Sequence, residues 1–348
     1  MKRKFILFYF LLITSCRPQS NISEKFADTI KKDDVYNYLS VLTADSLEGR
    51  ETGTEGQKKA AEFIKNKFEE FGLIPWIKTN REKSYYQKFR MHKKGFKKSF
   101  DLPMFLIKEK DVKKSELKNY VDTENVIGFI KGSEKEHEYI IVSAHYDHLG
   151  KRYNEIYHGA DDNGSGTSAL LEIAEAFSEA VKNSQPPKRS IIFIAFTGEE
   201  KGLVGSRYFM EFPTVEPVKI VTNLNIDMIG RNGDDFVHVI GASMITPKLE
   251  ELVENINDKY TKLYLDYSLD DGLTPSFMYR RSDQYNFSRF GVPAVFFYNG
   301  SHKDYHRPSD TIDKINFNGM IKRTKLIFYT AWELANMKER IDDFSAQN

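Results

Sequence analysis

Residues 190–200 read Ser-Ile-Ile-Phe-Ile-Ala-Phe-Thr-Gly-Glu-Glu. Ser190 to Phe196 is short, apolar and rich in β-branched and aromatic residues, the pattern of a strand buried on both faces. Thr197-Gly198 then breaks the run and delivers two adjacent carboxylates, Glu199 and Glu200. Working outward, Tyr139 to Ala144, Ile220 to Ile226 and Val292 to Phe297 read as further buried strands. Between them lie helical patterns. Ala60, Ile64, Phe68 and Phe71 recur at helical spacing before Gly72, and Leu170, Ile173, Ala174 and Phe177 form one stripe. Helices are also expected over Glu200 to Met210, along Leu249, Leu252, Val253 and Ile256, and from about Phe317 to Met337. Buried strands alternating with amphipathic helices imply an α/β domain whose central sheet is covered on both faces.

In such sheets the reactive crevice lies beyond the carboxyl ends of the strands, where loops gather polar groups without unpairing the ladder. His145 ends one strand, Glu199 and Glu200 follow the next, Asp227 ends a third, and His306 lies in the loop after the fourth. Asp161 sits in the turn Gly159-Ala160-Asp161-Asp162-Asn163-Gly164 that opens a helix. Any one of these residues alone reads as a strand-end cap or a surface charge. Together they point to a pocket for two metal ions. Two imidazoles with several carboxylates suit zinc, with cobalt or manganese as alternative occupants. Glu199, the spare carboxylate, is placed to take a proton from the attacking water and hand it to the leaving group. Asp147 is placed to accept the other N–H of His145 and fix its tautomer.

Five segments carry a family resemblance: HYDHLG at 145–150, GADDNGSG at 159–166, GEE at 198–200, NIDMIG at 225–230 and DYHRPSDT at 304–311. Their series resembles the leucine-aminopeptidase-type co-catalytic zinc peptidases, a family that includes glutamate carboxypeptidase and the glutaminyl cyclases. LEGRETGTEGQKKAAEFI at 47–64 is similar to the family's opening helix, so the likeness runs from about residue 35 to 340. It implies a three-layer zinc-exopeptidase fold with a mixed, mostly parallel sheet flanked by helices. It implies that Asp161 bridges two zinc ions, one completed by His145 and Asp227 and the other by Glu200 and His306. Glu199 becomes the general base, Asp147 the orienter of His145, and Tyr305 the donor to the tetrahedral oxyanion. The peptide bond between Asp161 and Asp162 is expected to be cis. Where many relatives read SDH, this chain has Ser282-Asp283-Gln284, and Gln284 is expected near the substrate. His148, inside one of the motifs, and His302, two residues before another, read as packed or surface histidines. Phe277, Met278, Tyr279 and Tyr285 are candidates for the wall of the first side-chain pocket.

The start of the chain bears on location. Lys2, Arg3 and Lys4 precede an apolar stretch from Phe5 to Thr14, too short for a membrane-spanning helix, which needs about 20 residues. It reads as an export signal. Ile13-Thr14-Ser15-Cys16 resembles a bacterial lipobox, and Cys16 is the only cysteine; an ordinary secretory signal is the alternative. The expected organisation is a signal at 1–15, a lipid-anchored tether at 16–28 and a catalytic domain at 29–348. Removing residues 1–15 takes three of 51 basic residues and none of 50 acidic ones, so 48 − 50 leaves −2, which argues against nucleic acid as a partner. Residues 81–120 form a basic insertion, 13 Lys or Arg against five Asp or Glu. It reads as a solvated hairpin, with contact to anionic head groups as the sharper alternative.

The expected function is an extracytoplasmic, lipid-anchored di-zinc exopeptidase, an aminopeptidase acting on peptides. Carboxypeptidase, dipeptidase or glutaminyl cyclase chemistry uses the same fold, and a non-catalytic lipoprotein binding peptide or glycan is the remaining alternative.

Overall fold

The computed structural model describes residues 22–80, 82–95, 102–270 and 278–342. Among these, one sheet contains β1 (Ile74–Pro75), β2 (Tyr86–His92), β3 (Tyr120–Ile130), β4 (Lys135–His145), β5 (Arg189–Phe196), β6 (Ile220–Ile226), β7 (Phe236–Ile240), β8 (Tyr264–Asp266) and β9 (Ala294–Tyr298). Their spatial order is β1-β3-β5-β4-β6-β9-β7-β8, with β2 also paired to β3. The four central strands, β5, β4, β6 and β9, are mutually parallel. β3 joins β5 antiparallel and β7 joins β9 antiparallel, so the sheet is mixed. From β4 the chain steps to one neighbour, β5, then crosses to the other, β6. Loops leaving these strands therefore diverge around a crevice at their common carboxyl edge.

The helices are α1 (Ile22–Ala27), α2 (Lys32–Leu42), α3 (Glu55–Phe71), α4 (Gly166–Lys182), α5 (Val204–Glu211), α6 (Pro247–Ile256), α7 (Gln284–Ser288) and α8 (Phe317–Asn336). Strand alternation divides the core into two layers. Along β5, Ile191, Phe193 and Ala195 face Leu170, Phe177 and Phe328 of α4 and α8, while Ile192, Ile194 and Phe196 face Phe209, Met210 and Phe287 of α5 and α7. Each fully buried Phe or Ile contributes roughly 1.5–3 kcal/mol. This is the three-layer α/β arrangement that the apolar runs imply. α3 starts at Thr54, whose hydroxyl accepts from the Gln57 amide, and stops at Gly72 in the left-handed region (φ 84°).

Two expectations about elements change. The helix read from Glu200 begins at Val204, because Gly198 (φ 74°), Gly202 (φ 97°) and Leu203 (φ 57°) turn the backbone first. That turn leaves Glu199 and Glu200 in a loop, free of helical periodicity. In the basic segment, β2 pairs with β3 from Tyr86↔Val126 to His92↔Tyr120. Phe89, Met91, Met104 and Phe105 pack there on Val204. The segment thus extends the sheet and buries apolar side chains as well as exposing lysines; its Phe96 and Phe100 lie outside the described residues, as does Cys16.

Candidate metal centre and catalytic cleft

The parallel strands end in side chains that meet. His145 closes β4, and its Nε2 lies 3.3 Å from Asp227 Oδ1, just past β6, and 3.4 Å from Asp162 Oδ1. The other oxygen of Asp162 faces a second group: Oδ2 is 3.0 Å from His306 Nε2, which is also 3.3 Å from Glu200 Oε2. One carboxylate thus presents an oxygen to each of two clusters of donor atoms.

The bridging position belongs to Asp162, which corrects the expectation for Asp161. Asp161 turns away: its Oδ1 accepts from the Gly230 amide at 2.6 Å and its Oδ2 faces His302 Nε2 at 3.2 Å. The cis peptide is correspondingly Asp162–Asn163, one bond later than expected. The reason lies in the turn. Backbone angles at Asp162 and Asn163 leave the helical region, and consecutive side chains in such a turn point to different sides. Asn163 clamps the turn: its Nδ2 donates to Ile226 O, and its Oδ1 accepts from the Gly166 and Met228 amides. A Cβ on Gly166 would lie 2.3 Å from Asn163 Oδ1, so glycine is required there. Asp310 Oδ2 accepts from the amides of both Asp161 and Asp162 and fixes the same turn from the other side.

Supporting residues come from segments distant in sequence. Asp147 is completely buried, and its carboxylate accepts from Thr52 Oγ1 at 2.7 Å and from the Glu199 amide at 3.2 Å. The nearest acceptor to His145 Nδ1 is the Asp147 carbonyl at 3.2 Å, with the carboxylate at 3.6 Å. Asp147 therefore sets both the His145 ring and the loop carrying Glu199. Asp227 Oδ2 accepts from Ser282 Oγ at 2.6 Å, and Ser282 in turn accepts from Asn225 Nδ2. Gln284 is fully buried, accepting from Asn225 and donating to the Tyr279 carbonyl. It braces the loop from behind, so its expected place beside substrate is not where the fold puts it.

Glu199 side by side with Glu200 shows how position sorts two neighbouring acids. Burial holds the Glu199 carboxyl well above the usual range, and Glu200, Asp227 and Asp283 add to this while His145 opposes it. Burial also pushes Glu200 up, but the imidazoles of His148 and His306 outweigh it and lower the group. For Asp162 the same balance of burial against three histidines leaves the carboxyl well below its ordinary value. Of the two neighbours, Glu199 is the one whose affinity for a proton is raised, which suits it to exchange protons. Tyr305 stacks on the His306 ring at 3.9 Å between centroids. It lines a cleft of about 340 Å³ together with the acids Glu199, Glu200, Asp162 and Asp227, the largely apolar Met228, Met278, Phe296 and Tyr298, and the basic Arg280 and Arg281. Of the other expected wall residues, Phe277 lies outside the described residues, and Tyr279 and Tyr285 contact each other at 6.1 Å.

These donors fit divalent cations. His145, Asp162 and Asp227 place ligand atoms within 4.8 Å of one another, and so do His148, Asp162 and Glu200. Asp162 Oδ2, Glu200 Oε1 and both ring nitrogens of His148 are buried without a hydrogen bond among the described residues. Unpaired buried acceptors of this kind are costly unless a cation or water meets them. His148, read from sequence as a packed or surface histidine, thus belongs to the cluster. Its spacing of three from His145 was the only signal for it.

Residues 125–331 match the model of Peptidase family M28. A probable leucine aminopeptidase of Trichophyton verrucosum is 31% identical over 208 residues, covering 58% of this chain and 55% of its own. The chain thus spans about half the length of the curated relatives it matches. Among solved structures, a zinc aminopeptidase from Bacillus subtilis superposes with a TM-score of 0.64 at 20% identity, over 90% of this chain and 98% of the other. A glutaminyl cyclase from Porphyromonas gingivalis gives 0.63 at 18% identity, over 86% and 97%. At these identities the two structures speak for the fold.

Proposed function

The chain belongs to Peptidase family M28, and from that premise we propose that it is a di-zinc aminopeptidase that removes N-terminal residues from peptides. The observation that carries this reading is the pair of donor clusters sharing Asp162, with Glu199 protonatable in the same cleft. His145, Asp162 and Asp227 would hold one ion, and Asp162, Glu200 and His306 the other. Nitrogen and carboxylate donors without thiolate favour zinc, with cobalt or manganese able to substitute. When bound, the ions would polarise the scissile carbonyl and make water nucleophilic at neutral pH.

The chain's own groups do the rest. Glu199 takes the proton released as water attacks and returns it to the departing amine. Asp147 keeps Glu199 at the cleft by accepting its backbone N–H. The Tyr305 hydroxyl is available to donate to the oxygen that gains charge in the tetrahedral state. Met228, Met278, Phe296 and Tyr298, with Arg280 and Arg281 in the same lining, surround the space for the first side chain. The sequence at Cys16 supports export and lipid anchoring, with peptides met outside the cytoplasm. Labelled palmitate should enter the wild-type chain and not Cys16→Ala; label retained by the variant would remove the anchor.

A peptide-library digest by the zinc-loaded protein, read by mass spectrometry, should show loss of N-terminal residues. Glu199→Gln should slow this by about 10²–10⁴-fold while two zincs stay bound. Turnover by that variant at the wild-type rate would refute the mechanism. Shortening from the C-terminus would reverse the end preference, and cyclisation of N-terminal Gln peptides would replace hydrolysis.

A further inference from the structure

We propose that His148 is itself a ligand of the second cation, so that two imidazoles serve that position while one serves the first. The inference rests on the di-zinc reading and adds a residue to it.

His148 lies three residues beyond the end of β4, and its side chain is fully buried. Its amide donates to the Arg50 carbonyl at 3.3 Å. The ring lies against Gly159, where a Cβ would come within 2.5 Å of its Cδ2; Gly159 also has φ 56°. The chain thus makes specific room for this ring. Neither ring nitrogen has a hydrogen-bond partner among the described residues, and a buried imidazole left so needs a physical explanation.

The surroundings supply one. His148 Nδ1 is 2.8 Å from Glu200 Oε1 and 3.7 Å from Asp162 Oδ2. Despite that closeness, all three atoms lack a directed hydrogen bond among the described residues. Three donor atoms from three different loops crowd together, as ligands of one ion do. His306 approaches the same two carboxylates from another side, through Asp162 Oδ2 at 3.0 Å and Glu200 Oε2 at 3.3 Å. The two rings are 5.9 Å apart and nearly edge-on, so neither blocks the other.

Two consequences separate the positions. His145, Asp162 and Asp227 offer one nitrogen, whereas His148, His306, Asp162 and Glu200 offer two, which biases the second position toward zinc or cobalt and away from manganese. It also keeps a nitrogen ligand in the interior independent of His306, whose side chain is 37% exposed.

The ring nitrogens provide the test. In ¹⁵N spectra of the zinc-loaded full chain, labelled at its eight histidines, three rings should be zinc-bound: His145 and His306 through Nε2, and His148 through Nδ1. His148→Gln, which retains a donor for Glu200, should erase the Nδ1-bound signal and weaken the second zinc by about 100-fold in a chelator competition. The metal-free variant should keep the wild-type circular dichroism spectrum. A chain holding two zincs with only two zinc-bound rings, or a His148→Gln chain with wild-type affinity for both, would overturn the proposal and leave the di-zinc reading standing. A wild-type chain that binds fewer than two zincs would instead overturn that reading itself, and this inference with it.

Discussion

The segment leaving β4 and the segment leaving β9 each bring histidine to Asp162, and they are built in opposite ways. After β4, His145, Asp147 and His148 are all at most 1% exposed. Behind them stands Arg50, fully buried, whose guanidinium donates to the carbonyls of Leu42, Tyr146, His158 and Gly159. Burial lowers its pKa to about 10, which still leaves it charged at neutral pH. After β9, Tyr305 and His306 are more than a third exposed, and His306 takes φ 56°. Ion pairs of Asp304 with Arg231 and Lys314 anchor that segment. The difference teaches that one wall of the cleft is part of the core and fixes where the cations sit, while the other is a surface that can face substrate.

Perturbing each wall should therefore give different signatures. The largest effect is expected at Arg50→Met, which strips four carbonyls of their donor in the interior. It should cost about 3–5 kcal/mol in denaturant unfolding, with loss of metal following from the displaced loop. Wild-type stability in that variant would show that the inner wall does not depend on Arg50. A smaller effect belongs to Tyr305→Phe on the outer wall. Here kcat should fall on the order of 10²-fold, with stability within about 0.5 kcal/mol of wild type. If Tyr305→Phe instead destabilised the chain as Arg50→Met does, the contrast between a structural wall and a substrate-facing wall would collapse.

The two walls also differ in how readily they could be read. The strands β4, β5, β6 and β9 were legible because a strand buried on both faces leaves a continuous apolar run, and each was placed within a few residues. That ligands follow those strands was legible for the same reason, and His145, Glu200, Asp227 and His306 do converge. β3, Tyr120–Ile130, escaped notice, since Asp122, Thr123, Glu124 and Asn125 interrupt its pattern. Gln57, Thr123 and Asn125 satisfy buried polar groups there through partners more than 60 residues away. Thr52 was inside a recognised motif, yet nothing local announced that its hydroxyl would hold Asp147.

By itself, the order of residues determined the layered α/β architecture, the edge at which chemistry collects, and the kinds of donor gathered there. All of these follow from periodicity and from where apolar runs stop. Only the folded chain decided between Asp161 and Asp162, turned Gln284 toward the backbone and drew His148 in beside Glu200. A tight turn has no repeating period, so which way a side chain points there is set by the carbonyls and amides that distant segments bring against it.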